Sequence, residues 1–400
     1  MIYAAVLGYG TVGSGVVEAL GTNREKIAAA VGDEIAVKYV LDLREFPGDP
    51  AEKLLVHDFS VIEEDDSVQI VVETMGGVHP AYEFSLAALK KGKSVCTSNK
   101  ALVAEKGCEL MAAARENGCS YLFEASCGGG IPVIRALNTS LAGEKITEIA
   151  GILNGTTNYI LTRMEKEHLN YPEVLADAQA LGYAEKDPTA DVEGHDACRK
   201  LAILTSLACG KRVEYTRIPT EGISGITQED FRLAAAAGCR IRLLADAVIA
   251  KEQVEAVVAP FAVPENSFFY GINDVFNAVS VTGNVLGEAV FVGRGAGKLA
   301  TASAVVGDVL DCAKNIGKTI PSFWAEEEPA MAEKDSLVFR FLVSIPETEK
   351  SKAEAVFGAT EFFDAGTEGR LAFLTGEMQE QAFDRAFAAL ENARFLRARF

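Results

Sequence analysis

Tyr3-Ala4-Ala5-Val6-Leu7-Gly8-Tyr9-Gly10-Thr11-Val12-Gly13 is the stretch on which the fold turns. Its apolar first half reads as a short strand, Tyr3–Leu7. Val16, Val17 and Leu20 beyond the glycines fall at helical spacing. The glycines between form a G-x-G-x-x-G. Gly8 suits a tight turn, Gly10 lets a pyrophosphate approach the backbone, and Gly13 lets the helix pack closely. The reading is a dinucleotide-binding turn at the head of a doubly wound parallel sheet.

Outward from this turn, strand and helix alternate. Strands are expected at Ile35–Leu41, Val68–Val72, Ser94–Thr97 and Tyr121–Phe123, and helices at Tyr82–Lys91 and Leu102–Glu116. That alternation predicts an α/β, Rossmann-type sheet covered on both faces. Asp42, in VLDLRE, ends the second strand, where a carboxylate accepts from a ribose 2′-OH and disfavours a 2′-phosphate. Arg44 pulls the other way, and an exposed turn carboxylate has the same signature, so the sequence leaves the cofactor preference open.

Past Ile131 the pattern becomes mixed α+β. It has a helix from Ile131, a strand at Ile146–Leu153, helices at Tyr171–Leu181, His195–Cys209 and Gln228–Ala237, and strands at 241–250, 254–260, 278–282 and 289–292. Residues 321–335, PSFWAEEEPAMAEKD, read as an acidic linker. Phe339, Phe341, Val343 and Ile345 then alternate with polar or outward positions and open a βαββαβ order: helix 351–357, strands near 361–364 and 371–376, helix 379–390, strand 394–400. That is the ferredoxin-like arrangement. The expected domains are a dinucleotide-binding domain, 1–130, completed by 296–320. A substrate and dimerisation domain, 131–295, and a ferredoxin-like module, 336–400, follow.

Composition narrows the function. There are 38 Lys plus Arg against 57 Asp plus Glu, a formal net charge of −19. Such a surface repels phosphate backbones and argues against nucleic acid or an anionic membrane as partner. No apolar run approaches the ~18 residues of a membrane span, and MIYAAVLGYG reads as a strand rather than a leader. The eight cysteines are scattered without a C-x-x-C pair, which fits reduced thiols in a cytoplasmic protein.

Four further strings bear chemistry. Thr97-Ser98-Asn99-Lys100 follows a strand and starts a helix, where a lysine partly desolvated beside a cofactor suits proton transfer; a solvated surface lysine fits the same spacing. Glu124–Pro132 is EASCGGGIP and Gly151–Leu161 is GILNGTTNYIL. Leu181–Lys200 packs Glu185, Asp187, Asp191, Glu193 and Asp196 ahead of Lys200. Asp196 and Lys200, four apart, share a helix face. The cluster is either an acidic solvated loop capping a helix or a pocket for a cationic, hydroxyl-bearing substrate.

Together these strings, with VVETMGG, SVCTSNKALVAEKG and GRGAGKLATASAVVGD, resemble the homoserine dehydrogenases in order and over residues 1 to about 312. The resemblance implies NAD(P)-dependent interconversion of L-homoserine and L-aspartate 4-semialdehyde, in the biosynthesis of threonine and methionine. It implies Lys100 and Lys200 as catalytic lysines, with Lys100 as general acid/base. Glu185, Asp191, Asp196 and Lys200 would bind substrate, with backbone groups of Gly155 and Thr156. Cofactor contacts would fall on Gly8, Gly10, Thr11, Val12, Gly13, Asp42, Arg44, Thr74, Ser98, Lys100 and Gly295. A monovalent cation, sodium, would be held by the Glu124 side chain and the carbonyls of Cys127, Gly129 and Ile131. A homodimer or higher homo-oligomer is also implied.

The tail resembles an ACT module, but SIPETEKSK stands where such modules carry a Pro-Gly-containing turn, so weak or no response to threonine is expected. Leu41 replaces a frequent basic residue, which weakens any presumption of NADP. Two other readings stay open from residues alone. Cys127 could act as a thiol nucleophile with His195 as its base, or the chain could be a dinucleotide-sensing module without turnover.

Overall fold

Residues Ala4–Leu7 and Ile70–Val72 are wholly buried, as strands are when helices cover both faces of a parallel sheet. In the computed structural model, which describes residues 1–250, 253–358 and 361–399, they are the centre of such a sheet. Its strands are β1 (Ile2–Leu7), β2 (Ile35–Leu41), β3 (Leu55–Val56), β4 (Val68–Glu73), β5 (Ser94–Thr97) and β6 (Tyr121–Leu122). Their order is β3-β2-β1-β4-β5-β6 and every pair is parallel. The order reverses at β1 and β4, and ligands bind at that switch point in doubly wound sheets. The helices Thr11–Thr22 and Lys298–Lys314 pack on one face, with Val16, Leu20, Val305 and Val309 against Val6, Val72 and Cys96.

This sheet lies in a first compact unit, Met1–Lys145 with Ala202–Glu214 and Gly293–Glu328; the second is Ile146–Leu201, Tyr215–Val292 and Pro329–Phe400. The second unit is built on a mixed sheet. Its strands are β7 (Ile146–Ile152), β8 (Cys239–Ile249), β9 (Gln253–Pro264), β10 (Phe276–Gly283) and β11 (Gly287–Arg294), followed by β12 (Ala330–Met331), β13 (Val338–Pro346), β14 (Phe363–Asp364), β15 (Arg370–Leu374), β16 (Met378–Gln379) and β17 (Arg394–Ala398). The order is β11-β10-β7-β8-β9-β17-β13-β15-β14, with β12 on β9 and β16 on β13.

The tail has the expected βαββαβ order around a phenylalanine core, in which Phe341 and Phe383 stack at 3.6 Å. It is not separate from the domain before it. β17 runs parallel to β9, pairing Arg397 with Phe261 and Ala398 with Ala262, so one sheet runs through both. The last residue of the expected strand, Phe400, lies outside the described residues.

The stretch 321–335 carries the break between the two units, after Glu328, yet it is packed along much of its length. Trp324 is 3% exposed and meets Phe123 edge-on at 5.7 Å. Ala330–Met331 pairs with β9, and Met331 and Ala332 are buried. Its glutamates turn outward, Glu327 to Lys211 at 2.7 Å, while apolar residues between them turn in; composition averages over that alternation. The helix expected from Ile131 begins at Val133 and changes pitch within a turn. One turn, Val133–Arg135, passes into a π turn, Ala136–Ser140. Thr139 Oγ1 donates to the Arg135 carbonyl at 2.5 Å, a local bond of the kind that distorts helices.

Candidate active site

The first unit carries a cleft of about 520 Å3 lined by Gly8, Gly10, Asp42, Arg44, His57, Phe59, Thr74 and Met75 among others. The glycine turn is built as its spacing suggests. Gly8 has φ +89°, and a Cβ at Gly13 would collide with the Gly8 carbonyl oxygen. At Gly10 a Cβ would meet nothing within 4 Å, so this face of the turn is open to a ligand. Gly10 caps helix Thr11–Thr22 with no side-chain bond to its first amides, which leaves those amides, with Thr11 and Val12, for a pyrophosphate. Thr74 braces the turn, its hydroxyl donating to the carbonyls of Leu7 (3.0 Å) and Gly8 (2.8 Å).

At the far end of the cleft Asp42 accepts from the Tyr9 amide at 2.8 Å, and from Arg44 Nε at 3.0 Å and Nη2 at 2.9 Å. The Arg44 guanidinium holds the Asp42 carboxyl well below the usual carboxylate range. His57 reaches the same corner, 2.7 Å from the Asp42 carbonyl. A larger cleft of about 620 Å3 beside helix Lys100–Glu116 contains none of the expected residues. We give it no part in catalysis, because no glycine turn or strand end opens onto it.

Lys100 is the first residue of its helix, and Asn99 is the cap, its side chain accepting from the Leu102 amide at 3.1 Å. The loop is held from below by Glu73, at the end of β4 and 0% exposed. Thr97 Oγ1 donates to Glu73 at 2.5 Å, the Asn99 amide donates to Thr97 Oγ1 at 2.9 Å, and the Ser98 amide donates to the Glu73 carbonyl at 3.3 Å. Burial pushes the Glu73 carboxyl pKa up, and Thr97 opposes it. Glu73 was not singled out, since a glutamate ending a strand gives no sign in sequence of being buried.

Glu124, Cys127, Gly129 and Ile131 lie in one turn of the first unit. Glu124 is 1% exposed, and its oxygens accept the amides of Ile134 (2.9 Å) and Arg135 (2.6 Å). Burial raises its pKa. A monovalent cation beside such a carboxylate keeps it ionised, and one carboxylate with peptide carbonyls is a hard-oxygen set of the right character. The Ile131 carbonyl already accepts the Val133 amide at 2.9 Å, which leaves one lone pair. Gly295 lies against this turn, its carbonyl where a Cβ on Gly129 would be, and is not among the residues lining the 520 Å3 cleft. Cys127 is 0% exposed, a poor position for the nucleophile of the alternative reading. All eight cysteines are free thiols.

In the second unit Asn154 organises the acid cluster. Its Nδ2 donates to Asp191 at 2.7 Å and to Asp196 at 2.8 Å, and its Oδ1 caps helix Gly155–Glu167 through the Thr157 amide at 2.9 Å. Lys200 Nζ donates to Asp196 at 2.6 Å and to the Leu153 carbonyl at 2.8 Å; Lys200 and Asp196 are both buried. Thus Gly155, Thr156, Asp191, Asp196 and Lys200 come together, with the Thr156 hydroxyl on the Tyr183 carbonyl at 2.7 Å. Glu185 is exposed, in the turn that follows helix Tyr171–Ala180. Asn154, the hub, was not singled out in the sequence; its place before G-T-T, an N-cap position, was the available signal.

Among the described residues no helix is long and apolar enough to cross a membrane. Two family models match the chain: "Homoserine dehydrogenase, NAD binding domain" over residues 8–124 and "Homoserine dehydrogenase" over 132–310. The homoserine dehydrogenase of Bacillus subtilis is 42% identical over 328 residues, covering 80% of this chain and 76% of the relative. A homoserine dehydrogenase structure from Thiobacillus denitrificans superposes with TM-score 0.90 at 32% identity, covering 100% of this chain and 98% of that one. A hyperthermophilic archaeal homoserine dehydrogenase in complex with NADPH superposes with TM-score 0.68 at 27% identity, over 80% of this chain and 99% of that one.

Proposed function

The chain belongs to the homoserine dehydrogenase family, and from that premise we propose that Lys100 is its general acid/base and that Asp191, Asp196, Glu185 and Lys200 hold the substrate. The enzyme is an NAD(P)-dependent oxidoreductase interconverting L-homoserine and L-aspartate 4-semialdehyde. The nicotinamide, when bound, supplies the hydride acceptor or donor. Lys100 takes the proton of the substrate hydroxyl in one direction and returns it to the aldehyde oxygen in the other. Homoserine carries an ammonium, a carboxylate and the reacting hydroxyl. The acids suit its ammonium, while Lys200, held by Asp196, and the amides at Gly155 and Thr156 suit its polar oxygens.

The observation that carries the reading is the placement of Lys100. It is the first residue of a capped helix, just past the loop that leaves the carboxyl end of β5, and ligands sit at the carboxyl ends of the strands in such sheets. The cofactor preference is for NAD. Asp42 stays ionised beside Arg44 and would face a 2′-phosphate with like charge. Ser98, Thr74 and Gly295 serve the same cofactor; Glu124, with the carbonyls of Cys127, Gly129 and Ile131, would hold sodium, whose charge would steady the turn against which Gly295 lies. A homo-oligomer in the cytoplasm completes the reading. The test is turnover of homoserine with each cofactor, followed by the near-ultraviolet absorbance of the reduced nicotinamide. NAD-dependent turnover is expected, and no turnover with either cofactor would overturn the assignment.

A further inference from the structure

The last strand carries a buried arginine whose partners lead to the substrate acids. Arg397 on β17 is 3% exposed. Its guanidinium donates through Nη1 to Glu221 at 2.6 Å and through Nη2 to the other Glu221 oxygen at 2.8 Å. It also binds Glu380, which is 2% exposed, and Lys334 reaches Glu221 at 3.0 Å. Two cations and two carboxylates therefore balance. Removing the arginine would leave Lys334 as the one cation shared by two carboxylates, one of them buried.

Glu221 is followed by a segment welded to the acid loop. The Glu221 amide donates to the Val258 carbonyl on β9 at 2.7 Å, three residues before the Phe261 that pairs with Arg397. At Gly222 a Cβ would run into the Val192 carbonyl and the Glu193 backbone. The Ile223 amide donates to the Val192 carbonyl at 2.8 Å. Val192–Gly194 is the turn between Asp191 and Asp196, and the Gly194 carbonyl accepts the Cys198 amide at 2.9 Å in the first turn of the helix bearing Asp196 and Lys200. A shift of Glu221 therefore has no slack in which to be absorbed before it reaches both acids.

We propose that Arg397 is a positioning residue for the substrate: by clamping Glu221 it fixes the Val192–Gly194 turn and with it the Asp191–Asp196 pair. The C-terminal module then sets affinity for the amino-acid substrate instead of acting as a separable appendage. This rests on the reading of Asp191 and Asp196 as substrate acids.

The experiment measures homoserine KM, NAD(P) KM, kcat and Tm for Arg397→Gln, Glu221→Gln, their double variant and Arg397→Lys. Homoserine KM is expected to rise about tenfold in each glutamine variant, with NAD(P) KM within about twofold. The double variant should be no worse than the worse single one, as for coupled neighbours. Arg397→Lys keeps the charge but loses the fork, and should fall between. Glu221→Gln leaves the Arg397–Glu380 pair in place, so it reports even if Arg397→Gln does not fold. An unchanged homoserine KM in folded variants, with or without a lower Tm, would overturn the proposal. Asp196→Asn separates the two claims. If it leaves homoserine KM unchanged, the assignment of the acids fails; if it raises KM while Glu221→Gln does not, the clamp alone fails.

Discussion

Asp42 and Arg44 show at the residue scale why a charge read in sequence needs a partner before it has a meaning. Each was legible as a cofactor contact with an opposite bias, and the structure pairs them in the cleft at 2.9 and 3.0 Å. Arg44 is mostly exposed while the Asp42 carboxylate is nearly buried. Arg44→Ala is therefore expected to leave kcat/KM with NAD within about threefold, the scale of a solvent-exposed ion pair. Asp42→Ala should lower it about tenfold through loss of hydrogen bonds to the ribose; steady-state kinetics with NAD and NADP check both. Glu124 is the second residue-level case. Replacing alkali-metal ions in the buffer by a bulky organic cation should lower activity, and Glu124→Gln should abolish that response. An unaltered cation response in the variant would remove Glu124 from the site. Glu73 was illegible for the opposite reason: besides the nearby Met75 amide, its partners are Thr97 and the Ser98 amide, on another strand end.

Elements were read best where a local pattern decides them. Strands Ile35–Leu41 and Ser94–Thr97 and helix His195–Cys209 stand at the expected bounds, because apolar periodicity and the flanking breakers agree there. Gly13 shows the same local determinism: Gly13→Ala would drive a methyl group into the Gly8 carbonyl. About 1–3 kcal/mol of stability should be lost, as for other overpacked sites, with a weaker grip on NAD(P), measured by denaturant unfolding and cofactor titration. The helix from Ile131 is present from Val133, but its change of pitch over Ala136–Ser140, where Thr139 bonds back to Arg135, is something that periodicity does not register. In the tail, the turn SIPETEKSK gives a short 3-10 segment, Glu347–Glu349, and the Glu347 amide is taken by the Gly369 carbonyl at 3.0 Å. With that donor used internally, added threonine is expected to change turnover less than about twofold, since a group already paired has little net hydrogen-bond energy to offer a ligand. Strong inhibition by threonine would contradict this.

On the scale of the whole molecule, the class of each unit was legible and the joins were not. Alternating strands and helices specify a doubly wound sheet through local patterning. The parallel pairing of β17 with β9, by contrast, joins residues far apart in sequence and is sealed by Arg394, Arg397 and Arg399 on Asp230, Glu221 and Glu148. In sequence those arginines are only a basic C-terminus. The linker reading found the break between the units, which falls after Glu328, but not the packing of the segment, since Trp324 and Met331 find their partners outside it. The account depends most on Lys100, and one comparison tests it directly: kcat for homoserine oxidation, alongside NAD(P) affinity by titration, in Lys100→Ala and the unaltered enzyme. The prediction is a fall in kcat of about 10³-fold, within the range of a lost general acid/base, with cofactor affinity kept within about tenfold. An alanine variant that turns homoserine over at close to the normal rate would contradict it.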